Sequence, residues 1–102
     1  MFDWDTGNID HIAEHGIAPA EAEQVILNDP IDLQLQTWSG EERIAQVGET
    51  DAGRILVVVT TMRDDLIRVV TAYPAGKRLQ GVYITQKGST HAGGTEETEL
   101  QE

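Results

Sequence analysis

The 102-residue chain has no cysteine, which excludes a disulfide framework and any thiolate metal site. No apolar run approaches the ~20 residues of a membrane-spanning helix. The opening stretch, MFDWDTGNID, lacks the basic and apolar regions of a signal peptide, so a cytoplasmic protein without a membrane role is expected. Lys and Arg are missing from residues 1–42, which hold ten Asp or Glu. All seven basic residues fall between Arg43 and Lys87, against four carboxylates there. Residues 88–102 add four Glu, and the net charge is −11. An acidic chain with its cations gathered in one segment is consistent with two functional faces, or with arginines that pair with the chain's own carboxylates.

What is present fits one small domain over residues 1–87, followed by an acidic, disordered tail from Gly88. FDW can form a short first strand, and Asp5 or Thr6 can cap a helix through about His15, ended by Gly16. Ile9, Ile12 and Ala13 would be its buried stripe. Pro19 opens a second helix with Ala22, Val25 and Ile26 inward, stopped at Asp29-Pro30. The period then changes to two. Ile31, Leu33 and Leu35 alternate with polar residues, EERIAQVG follows, and ILVVVTT reads as a central strand joined through RDD to LIRVVTAY. The expectation is an α+β fold: two N-terminal helices packed on one face of an antiparallel sheet of about four strands, with an irregular or short helical C-terminal element. From Pro74 onward Gly76, Gly81, Val82, Ile84 and Thr85 suit a strand better than a helix.

His11, Glu14 and His15 form H-x-x-E-H, the inverted zincin spacing that places two imidazoles one helical turn apart. A catalytic zinc of that kind needs a third protein ligand and a cleft. No third ligand stands at a persuasive spacing, so neither a metal nor any other cofactor is expected.

Several short blocks occur in a particular order: FDWD with Asn8, EHGI, AEAEQV, NDP, GEER, Gly48, GRILVVVTTMR, IRVVTA and Tyr83. Together, over roughly residues 2–83, they resemble the BrnT family of small bacterial toxins. That resemblance implies a RelE-like fold, ribonuclease activity and neutralisation by a BrnA antitoxin with a ribbon-helix-helix DNA-binding region, in a possible heterotetramer. The chain departs from the family pattern at Glu14, where a Lys is usual, and at Tyr73, where an Arg is usual. The segment PAGKRLQGVY replaces one that is normally helical and basic.

RNA cleavage without a metal needs a base for the 2′-hydroxyl, cations for the phosphate and an acid for the leaving oxygen. At the positions matching the family, His15 or Glu42 is the candidate base. Arg43, Arg63 and Arg68 are candidate phosphate clamps, and Tyr83 is the candidate acid or base-stacking group. Lys77 and Arg78 could steer RNA, while Arg54 reads as structural. Each also has a plainer reading: His15 caps a helix end, Glu42 pairs with Arg43, and Arg68 within LIRVV contacts a carboxylate or an antitoxin. The functional expectation is therefore a metal-independent endoribonuclease toxin. Two alternatives are an inactive relative that only binds its antitoxin, and an acidic adaptor domain.

Overall fold

The computed structural model describes residues 1–92, and their side chains through Lys87. Helices α1 (Thr6–Ala13) and α2 (Pro19–Leu27) precede strands β1 (Ile31–Trp38), β2 (Glu41–Glu49), β3 (Ile55–Arg63) and β4 (Leu66–Pro74), and α3 (Lys77–Ala92) closes the described chain. The strands form one antiparallel meander in sequence order. Two of its three connections are two-residue hairpins: Ser39-Gly40 and Asp64-Asp65 all have positive φ. This is the type I′ arrangement, whose twist matches that of the strands.

Alternation along β3 divides the core in two. Leu56 and Val58 pack with Ile12, Ile17, Ala22 and Val25 under α1 and α2. Val57 faces the other way and packs with Val47, Ala75 and Tyr83, with Leu79 alongside. Each buried Val, Leu or Ile among them contributes roughly 1.5–3 kcal/mol by leaving water. Gly48 lets α2 approach the sheet, because a Cβ there would lie 2.9 Å from Val25 Cγ1 and 3.0 Å from Pro30 Cβ.

Helix α1 is capped by Asp5, whose carboxylate accepts from the Asn8 amide while the Asn8 side chain accepts from the Asp5 amide. Asn8 is buried, and its Nδ2 donates to the carbonyls of Asp3 and Val69. It thereby takes the inward place expected of Ala13, which is exposed. The helix closes at Gly16, φ 74°, with the Gly16 amide donating to Ala13 and the Ile17 amide to Ile12, a Schellman ending. FDW forms one isolated parallel bridge, Phe2 to Ile67, rather than a strand.

Two expectations change. The alternation of β1 breaks at a bulge between Asp32 and Gln34. Ile31 and Leu33 pack on the α3 side, whereas Leu35 pairs with Ile44 and is 67% exposed. The segment after Pro74, expected to be irregular or a short helix although its residues suit a strand better, is a helix of 16 residues, longer than the short element expected. Ala75, Leu79 and Tyr83 recur every four residues and pack on Val47 and Val57, and this burial outweighs the β preference of Val82, Ile84 and Thr85. Helix α3 continues past Gly88, and the remaining tail, 93–102, lies outside the described residues.

Candidate nucleic-acid interface

Residues two and four apart on a strand share a face, so Arg43 on β2 and Thr61 and Arg63 on β3 lie on the α3 side of the sheet, with Arg68 of β4 opposite Thr61. Helix α3 covers one end of that face. At the other end Glu41, Arg43, Thr61, Arg63 and Arg68 line a groove of about 380 Å³, together with Val69 and Val70 of β4 and Gly7, Asn8 and His11 of α1. Three guanidiniums and the Glu41 carboxylate line it, and Asp3 and Asp5 stand behind Arg68.

The three arginines differ in their freedom. Arg43 is paired with Glu41 at 3.1 Å. Arg68 is mostly buried and lies 3.0 Å from Asp5 and 3.5 Å from Asp3. Its Nη2 donates to Asp5 Oδ1 at 3.3 Å, whereas Nη1 is sealed from water at ion-pair distance but out of line for a hydrogen bond. The Arg68 hydrogen bond, followed by that from the Asn8 amide, holds the Asp5 carboxyl below its ordinary range, and Asp5 in turn keeps Arg68 more firmly protonated. Arg63 is exposed and has no ion-pair partner among the described residues.

His11 joins this groove to a row of rings. Its Nε2 lies 3.0 Å from Thr71 Oγ1. Its ring meets His15 edge-on at 5.6 Å, and His15 meets Tyr73 at 6.3 Å. Among the described residues no group of three or more His, Asp or Glu is placed to hold a metal ion.

The structure thus brings together Arg43, Arg63 and Arg68 and sets His15 one ring away from them. It does not gather the rest. Glu42 lines a different, largely apolar groove of about 950 Å³ with Ile26, Leu35, Ile44, Met62 and Ile67. Tyr83 is buried beneath α3, where its hydroxyl donates to Glu49 Oε1 at 3.3 Å. Burial and then the Glu49 charge push its pKa up. Lys77 and Arg78 are exposed at the start of α3 and do not line the arginine groove. Arg54 bonds Glu21 at 2.8 Å and the Gly16 carbonyl at 3.1 Å, tying the β2–β3 turn to α2. His11 entered the sequence reading only as half of a zinc motif. The signal that places it was its position three and four residues after Asn8 and Gly7, on one helical face.

Helices on both faces of a four-stranded meander, with three arginines and a histidine lining one groove, make this a small α+β domain. The chain belongs to the BrnT family of ribonuclease toxins of type II toxin–antitoxin systems, whose family model matches residues 4–78. Tyr83 lies beyond that match. No curated protein matches the chain. Membership implies an antitoxin partner. Among the described residues no helix is long and apolar enough to cross a membrane.

Proposed function

We propose that the chain is a cytoplasmic, RelE-like endoribonuclease toxin that cuts RNA at the arginine groove without a metal. The observation that supports this reading most is the convergence of Arg43, Arg63, Arg68 and His11 on one groove in a member of a ribonuclease toxin family. His11 accepts the proton of a ribose 2′-hydroxyl, whose oxygen attacks the adjacent phosphorus. The P–O5′ bond breaks, leaving a 2′,3′-cyclic phosphate, and the 5′-oxygen takes a proton from water entering the open groove. Arg63 and Arg43 bind the non-bridging oxygens as negative charge builds. Thr71 fixes one nitrogen of His11, and His15 braces the ring from behind. Arg68 holds α1 in place through Asp5 and so sets the position of His11. Glu42 and Tyr83, which the groove does not contain, have no role in this scheme.

The antitoxin, a BrnA-like ribbon-helix-helix protein, would cover the groove in a heterotetramer and add the DNA-binding function. A second reading has its own support: Arg43 and Arg68 are already neutralised by carboxylates, as suits a module that only binds its antitoxin. Cleavage of a synthetic RNA in EDTA by the wild type and Arg63→Ala decides between them. The proposed function requires cleavage by the wild type and a loss on the order of tenfold to a hundredfold in the variant, the scale expected for one transition-state cation. A folded wild type that leaves the RNA intact but binds the antitoxin establishes the second reading.

A further inference from the structure

The row His11, His15, Tyr73 has a use that the cleavage chemistry does not exhaust. The three rings run in contact, with interplanar angles of 81° and 64°, from the wall of the arginine groove outward along the seam of α1 and β4. His15 is exposed and Tyr73 is 40% exposed, and the Tyr73 hydroxyl makes no hydrogen bond among the described residues. Folding therefore gains little from the far end of the row. Lys77 and Arg78, both exposed, follow Tyr73 by four and five residues, so Lys77 lies within ~14 Å of it along the chain. Arginines thus stand at the groove end of these accessible rings, and Lys77 and Arg78 follow the other end closely in the chain.

That order suits a polyanion whose bases are free to leave one another. We infer that His15 and Tyr73 form a nucleobase platform for single-stranded RNA beside the arginine groove, a substrate-class assignment that rests on the ribonuclease reading above. A phosphate in the groove and one near Lys77 bracket a base laid on Tyr73. Stacking of this kind tolerates any base, because every base has a π-face. It discriminates against duplex, whose bases are already stacked and shielded.

The test is binding of a fluorescent, all-2′-deoxy oligonucleotide, which lacks the attacking hydroxyl, alongside cleavage of the matching RNA. Each is measured as a single strand and as a duplex, with wild type, Tyr73→Ala, Tyr73→Phe and Arg63→Ala. The platform predicts tighter binding of the single strand and a rise in Kd of about tenfold for Tyr73→Ala. Tyr73→Phe, which keeps the ring, returns to within about twofold of wild type. Tyr73→Ala leaves the salt dependence of binding unchanged, whereas Arg63→Ala reduces it. If the wild type cleaves RNA but Tyr73→Ala binds as well as wild type, or duplex binds as well as single strand, the platform is refuted and the ribonuclease reading stands. If the wild type neither binds nor cleaves RNA, both fall.

Discussion

The guanidinium of Arg68 lies 3.0 Å from Oδ2 of Asp5, the residue that caps α1, although 63 residues separate them in the chain. One contact therefore fixes a strand, a helix start and, through the helix, the position of His11.

Arg68→Ala consequently costs stability as well as activity. Loss of the guanidinium leaves Asp3 and Asp5 facing each other without their cation. Tm should fall by about 5 °C, the order expected for one charged hydrogen bond in a small domain. Calorimetry of Arg68→Ala beside Arg63→Ala checks this. Arg63 has no ion-pair partner among the described residues, and its variant should melt within about 1 °C of wild type.

The same pair sets an acid dependence. Arg68 depresses the folded pKa of Asp5 below its ordinary 3.8. A depressed carboxylate stabilises the fold above its unfolded value, and that contribution disappears as pH falls through the folded one. The Tm gap between wild type and Arg68→Ala should therefore be full at pH 7 and narrow steadily below about pH 4. A gap that is constant from pH 7 to pH 2 would show that Asp5 is not the group that matters.

Tyr83 gives the opposite dependence. Its folded pKa is raised above the ordinary 10.0 by burial and by Glu49, so its contribution is complete below pH 10 and is lost as pH rises through the folded value. Tyr83→Phe should cost no more than about 1 kcal/mol at neutral pH and should weaken the alkaline decline seen in wild type. Cleavage by this variant should match wild type, because Tyr83 lies outside the groove. A large loss of kcat would return Tyr83 to the site.

Gly48→Ala should destabilise by roughly 1–3 kcal/mol, since the new methyl meets Val25 and the Pro30 backbone and cannot be absorbed by one flexible side chain. Denaturant unfolding measures this directly. An unchanged midpoint would mean that α2 can shift away from β2 freely.

The four strands, their hairpins and the two first helices were legible because their burial repeats along the chain. Leu56, Val57 and Val58 read as a strand covered on both sides, and the helix start was placed at Asp5 or Thr6, of which Asp5 is the cap. Helix α3 was legible only in part, as one of two readings: its residues favour a strand locally, and the contacts of Leu79 and Tyr83 that favour the helix are with β2 and β3. Leu35 was misplaced for a related reason, since the bulge in strand pairing between Asp32 and Gln34 leaves no mark in the alternation of IDLQLQ. For the candidate site, the arginine cluster could be anticipated from residue type, but its neutralising partners could not. Asp3 and Asp5 reach Arg68 only because the segment before α1 folds back along β4.

That fold-back is slight. Residues 1–5 meet β4 through one bridge, in which the Asp3 amide donates to the Ile67 carbonyl and the Ile67 amide to Met1, and through the Arg68 pairs with Asp3 and Asp5. So small an attachment opens at a lower free energy than the sheet itself. Opening of this attachment releases Arg68 and α1 without global unfolding. Hydrogen exchange at the Asp3 and Ile67 amides tests this: the two should exchange together, and well ahead of Val57 and Val58 in the centre of the sheet.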